Sequence, residues 1–101
     1  MNKIFSMVGL ATRAGKTVAG EFSVEKAVKE RKAKLVIVSE EASDNTKKLF
    51  TNKCKFYDVP VFIYGSKDEL GNATGNVNRA SIAVLDSGFS KKIISMLTDN
   101  N

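Results

Sequence analysis

The chain has 101 residues, 43% of them hydrophobic and 27% charged, an ordinary globular mixture whose length allows a single domain over 1–101. It has no histidine and one cysteine, Cys54. That removes the commonest general base, a zinc site, a Cys–His nucleophile and any internal disulfide, so neither an enzyme nor a cofactor or metal protein is expected. The net charge of +5 lies wholly in the first third, where Lys3, Arg13, Lys16, Lys26, Lys29, Arg31, Lys32 and Lys34 face only Glu21, Glu25 and Glu30. So local an excess points to a polyanionic partner, RNA or DNA before acidic lipid, with a solvated basic surface as the plain alternative.

No stretch resembles a signal peptide or a membrane span, so a reducing cytoplasm and no membrane partner are expected. No extended apolar surface demands a dimer, and a monomer is expected. With Pro60 the only proline, regular elements should be long, and disorder is expected only near Asn100 and Asn101.

The first element is a helix over residues 3–14, with Ile4, Val8 and Ala11 on one face, Met7 and Leu10 beside them, and Gly15 ending it. Thr17-Val18-Ala19 is a short β-like piece. Gly20 precedes a second helix over Glu21 to Arg31, striped by Val24, Ala27 and Val28 and basic outside. Leu35-Val36-Ile37-Val38 is a continuous apolar run that suits a strand covered on both faces. Ser43 caps a third helix through Tyr57, with Thr46, Leu49, Phe50 and Cys54 inward.

Pro60 opens the strand Val61-Phe62-Ile63-Tyr64, and strand–helix–strand implies a parallel pair. Ser66-Lys67-Asp68-Glu69 is a capping box opening a fourth helix to about Ala73. A polar loop, Thr74 to Ala80, leads to the strand Ile82-Ala83-Val84-Leu85. Asp86-Ser87-Gly88 turns the chain into a closing helix built on Phe89, Ile93, Ile94 and Leu97. The alternation gives an α/β fold, a three-layer α/β/α sandwich with a small mixed sheet of about four strands.

Gly9 to Thr17 imitates a phosphate-binding loop but has five residues where the pattern needs four, and it joins a helix to a strand rather than a strand to a helix. Nucleotide hydrolysis is set aside on that ground. Arg13 and Lys16 still flank a glycine turn and are read as cations beside the start of the second helix.

The most informative stretch runs from Gly15 to Lys26. The N–H groups of Glu21, Phe22 and Ser23 have no partner within their helix and are free to donate to RNA. Gly20 permits close approach of a backbone or base, Ser23 adds a hydroxyl, and Lys26 lies one turn further on the same side. The plainer reading is that Gly20 simply starts a helix and Lys26 is solvated.

The segment Gly15 to Val36, with Lys26-Ala27-Val28 and Lys32-Ala33-Lys34-Leu35-Val36, resembles the L7Ae/L30e superfamily of ribosomal kink-turn RNA binders. The likeness continues through Ser39-Glu40-Glu41-Ala42, Val59-Pro60-Val61, Lys67-Asp68-Glu69-Leu70-Gly71 and Ala80-Ser81-Ile82-Ala83-Val84, in one register over nearly the whole chain. Gly9 to Lys16 resembles the start of its bacterial YlxQ-like branch. The resemblance implies a non-catalytic binder of sharply bent, structured RNA with tandem sheared G·A pairs, ribosomal or translation-associated.

It implies that Gly20, Ser23 and Lys26 meet the G·A pairs, and that the turn at Lys16 and Thr17 adds backbone contacts. The loop holding Val77, Asn78 and Arg79 is implied to shelter an extruded base. Val77 suits packing under that base, or a minor core contact; Arg79 suits stacking or holding a phosphate. One departure stands out. The family's strongest kink-turn binders carry Asn-Glu where this chain has Phe22-Ser23. Phenylalanine offers no hydrogen bond to a G·A pair, so Phe22 is expected in the core, with base stacking as the alternative. The same departure motivates a rival reading, a protein-interaction module that kept the fold and lost kink-turn recognition.

Overall fold

The computed structural model describes residues 2–99, so the disorder expected at Asn100 and Asn101 lies outside the described residues. Helices and strands alternate in chain order: α1 (Lys3–Arg13), β1 (Thr17–Ala19), α2 (Glu21–Lys29), β2 (Leu35–Val38), α3 (Asp44–Tyr57), β3 (Val61–Ile63), α4 (Lys67–Ala73), β4 (Ser81–Val84) and α5 (Ser87–Thr98). The sheet order is β1-β4-β2-β3, with β4 antiparallel to both neighbours and β2 parallel to β3. This is the mixed sheet and α/β/α sandwich that the sequence implies.

The apolar runs of β2 and β4 are wholly buried because both sheet faces are covered. Side chains alternate across a strand, so each run serves two cores. Val36, Val38 and Ala83 pack with Val24, Val28, Phe50 and Cys54 of α2 and α3. Leu35, Ile37, Ile82 and Val84 pack with Val8, Leu70 and Ile93 of α1, α4 and α5. Burial pushes the Cys54 thiol up to about 11, so it is inert packing and not a nucleophile.

Several boundaries shift from expectation, each for a local reason. Helix α2 stops at Lys29, two residues early, because Arg31 turns left-handed at φ 61° and the N–H groups of Lys32 and Ala33 both close onto the Ala27 carbonyl. Strand β4 starts one residue early at Ser81. The expected turn at Asp86-Ser87-Gly88 is instead the first turn of α5, since the Asp86 carboxylate accepts the Phe89 N–H at 2.8 Å. Among the described residues no helix is long and apolar enough to cross a membrane.

Candidate nucleic-acid interface

The start of α2 differs from every other helix start among the described residues. Asn2 caps α1 by accepting the N–H groups of Ile4 and Phe5. Ser43 caps α3, Ser66 caps α4 in a full capping box with Glu69, and Asp86 caps α5. The N-cap of α2 is Gly20, which has no side chain to offer. Its own backbone is fixed: the N–H donates to the Ser81 carbonyl at 2.9 Å and the C=O accepts from Val24 at 3.0 Å. The N–H groups of Glu21, Phe22 and Ser23 have no acceptor among the described residues, as the sequence requires. Gly20 sits at φ 93°, ψ 151°, a region open essentially to glycine alone. Torsion is the reason for glycine here; a Cβ would meet only the Arg79 side chain, at 3.9 Å.

The side chains around those amides face solvent. Lys26 is exposed and makes no ion pair among the described residues. Ser23 is exposed, and the Glu21 carboxylate accepts the Thr46 hydroxyl at 3.4 Å. Phe22 is 80% exposed, which overturns the expectation that it belongs to the core. Two residues are about 200° of helical turn, so a helix that buries Val24 carries position 22 on the opposite side.

The loop from Thr74 to Ala80 is built as firmly as a short element. The Thr74 hydroxyl donates to the Leu70 carbonyl at 2.8 Å, and the Asn76 N–H donates to the Gly71 carbonyl at 2.7 Å. Gly71 is buried in α4 directly under this loop: a Cβ there would lie 2.6 Å from the Asn78 nitrogen and the Val77 oxygen. The Arg79 guanidinium donates to the Asn78 carbonyl at 2.6 Å and to Asn76 Oδ1 at 3.1 Å. Its Cδ and Nε face Gly20, so loop and helix start meet there. Val77 is 80% exposed, which removes the core-contact alternative. Asn76 and Gly71 join the site without having been expected in it. Asn76 is polar inside a polar loop and signals nothing alone, whereas a glycine within a helix is a signal of close approach.

Two expected residues, Lys16 and Thr17, stand apart from this cluster, and Arg13 shares a groove with its loop only at Gly75. Lys16 precedes β1 and Gly20 follows it, about 13 Å apart at strand rise. The Lys16 carbonyl accepts from Leu85 past one end of β4, while Gly20 bonds Ser81 at the other. Lys16 is thus not beside the start of α2. Arg13 lines a groove of about 640 Å³ between α1 and α4, with Leu10, Asn72 and Gly75. Thr17 is paired in β1, and its hydroxyl shares a 2.9 Å hydrogen bond with that of Thr12. The imitation phosphate loop is also closed: the N–H groups of Gly15 and Lys16 donate to the Thr12 and Ala11 carbonyls and cannot cradle a phosphate.

Comparison with known proteins agrees with this architecture. The family model described as "Ribosomal protein L7Ae/L30e/S12e/Gadd45 family" matches residues 2–94. The RNA-binding protein YlxQ of Bacillus subtilis is 45% identical over 93 residues, which cover 92% of this chain and 93% of that protein. The large ribosomal subunit protein eL30 of Neurospora crassa is 36% identical over 93 residues, covering 86% of this chain and 82% of that protein. A solved structure of a Bacillus halodurans protein of unknown function superposes with a TM-score of 0.94 at 39% identity, covering 98% of this chain and all of that one.

Proposed function

Because this chain belongs to the ribosomal protein L7Ae/L30e/S12e/Gadd45 family, we propose that it is a non-catalytic, cytoplasmic binder of structured, kink-turn-like RNA, most simply ribosomal RNA. It works as a monomer beside other components of translation. The observation that carries this reading is the one helix start without a side-chain cap among the described residues, at Gly20, lying against Arg79. The free amides of Glu21 to Ser23 donate to phosphate or base-edge oxygens, and the positive end of α2 favours that charge. Lys26 and Arg79 hold phosphates on either side. Val77 supports an extruded base. Phe22 stacks on a base where the family's strongest binders hydrogen-bond a G·A pair.

The test compares a kink-turn RNA with the same RNA carrying Watson–Crick pairs in place of its G·A pairs. The substituted RNA should bind about tenfold or more weakly, since lost shape and edge contacts each cost a large fraction of specific binding. Equal affinity for the two would sink kink-turn recognition. Lys26→Ala should weaken binding to all RNAs alike and lower the slope of log affinity against log salt by about 1, as loss of one phosphate contact does. The 80% exposed ring of Phe22 also favours the rival reading, a protein-interaction module. Capture of partner proteins that survives ribonuclease, with no RNA affinity at low salt, would establish that rival.

A further inference from the structure

A second surface lies at the far end of the sheet from Gly20. Helix α2 runs about 14 Å away from that glycine, at 1.5 Å per residue. It ends at Lys29, and two residues further on, the Arg31 guanidinium carbon stands 5.3 Å from the centre of the Tyr57 ring. Phe56 meets Tyr57 edge to face, with centroids 4.9 Å apart, and is itself 78% exposed. Recesses open on both sides of Tyr57. One of about 450 Å³ is lined by Leu49, Lys53 and Phe56. The other, about 300 Å³, is lined by Arg31, Lys34, Asp58 and Pro60.

Charge decides what fits. Lys34 has no ion pair among the described residues, and Lys53 shares Glu25 with Lys29. Asp58 is the one carboxylate lining either recess. Lys16 and Lys34 enter β1 and β2 on either side of the same end of β4, since Thr17 and Leu35 both pair with Val84, and the one carboxylate that follows β4 there, Asp86, is engaged by the Phe89 N–H. The occupant is therefore anionic. A ring that projects from the surface offers a face to stack on and not a hole to fill. That distinguishes a base from the apolar anchor of an acidic peptide.

We propose that this end is a second RNA site, where an unpaired nucleotide stacks on Phe56 and its flanking phosphates are held by Lys34, Lys53 and Arg31. The first site would then take the bent duplex and the second a single-stranded extension. The two readings are independent, and each survives the failure of the other.

The test uses the full chain carrying Lys26→Ala and Arg79→Ala to weaken the helix-start site. Binding of a short single-stranded oligoribonucleotide containing 2-aminopurine is followed by fluorescence. Adding Phe56→Ala should weaken it by about tenfold and abolish the stacking quench, as loss of one base–aromatic stack does. Phe56→Tyr should retain both. In the otherwise unaltered chain, Phe56→Ala should leave binding to a blunt kink-turn duplex unchanged. Circular dichroism checks that each variant folds. The proposal is overturned if Phe56→Ala leaves single-strand affinity intact. It is equally overturned if a polyglutamate peptide, and not RNA, binds in a Phe56-dependent way, or if the ring instead governs self-association in sedimentation.

Discussion

Helices α2 and α5 both begin just after a strand, and β1 and β4, which lead into them, are antiparallel partners. Their N-termini therefore open at opposite ends of the same strand pair, on opposite faces of the sheet. Helix α5 is sealed by the Asp86 carboxylate, whereas α2 begins on a bare glycine. A capping side chain stabilises a helix by about 1 kcal/mol over alanine but only a few tenths over glycine, and the chain forgoes it where Arg79 lies against Gly20 and Lys26 stands one turn on. A helix end left unsatisfied by the protein is a helix end available to a ligand.

The strongest way to break this contrast is to move the loop that overhangs α2. Gly71→Ala puts a methyl group into the backbone of Val77 and Asn78, and neither can yield without displacing Arg79. Overpacking of this kind should cost about 2 kcal/mol or more in denaturant unfolding. RNA affinity should fall further than stability alone explains when measured well below the melting temperature. Arg79→Ala leaves the loop backbone in place and removes the charge. Its expected effect is smaller, about tenfold in RNA affinity with little change in stability, and normal affinity would show that Arg79 merely braces Asn76.

A third change sharpens the contrast in the other direction. Phe22→Asn with Ser23→Glu installs the pair that the family's strongest binders carry. If the open amides already lie against G·A pairs, affinity for a standard kink-turn should rise by several-fold to about tenfold, the worth of a well-placed base contact. A loss instead would show that the Phe22 ring, not the base edges, carries recognition.

Much of this fold is legible in the sequence because its signals are local. The apolar runs Leu35–Val38 and Ile82–Val84, the Ser43 cap and the Ser66–Glu69 box each depend on residues a few positions apart. The open start of α2 is legible for the same reason: a glycine at the N-cap offers no acceptor. The site's composition is not local. That Arg79 meets Gly20 follows from β1 pairing with β4 across sixty residues of chain, and that Lys16 does not follows from the register of the same pair. Phe22 lies outside the core, as the helical period that sets it opposite Val24 requires. The general tendency of aromatic rings to be buried points the other way and yields to that positional argument. The fixing of Arg79 by Asn76 requires the loop to fold back on Gly71, a glycine whose place within a helix signals a close approach but not which segment makes it.

The smallest effect tests the premise of the comparison. Asp86→Ala removes the acceptor for the Phe89 N–H, and the cost should be about 1 kcal/mol by chemical denaturation. Asp86→Gly removes it too, yet should cost only a few tenths, because glycine at an N-cap lets water reach the freed amides. Its φ of −109° is ordinary, so neither replacement strains the backbone. Neither should change affinity for a blunt kink-turn duplex, since α5 starts at the end of the strand pair remote from Gly20. The difference between alanine and glycine explains how α2 remains open at little cost: its N-cap is the one residue type that leaves the amides wet until a ligand takes them. Were Asp86→Ala to cost nothing, helix caps would not be stabilising this fold, and the bare start of α2 would carry no functional meaning.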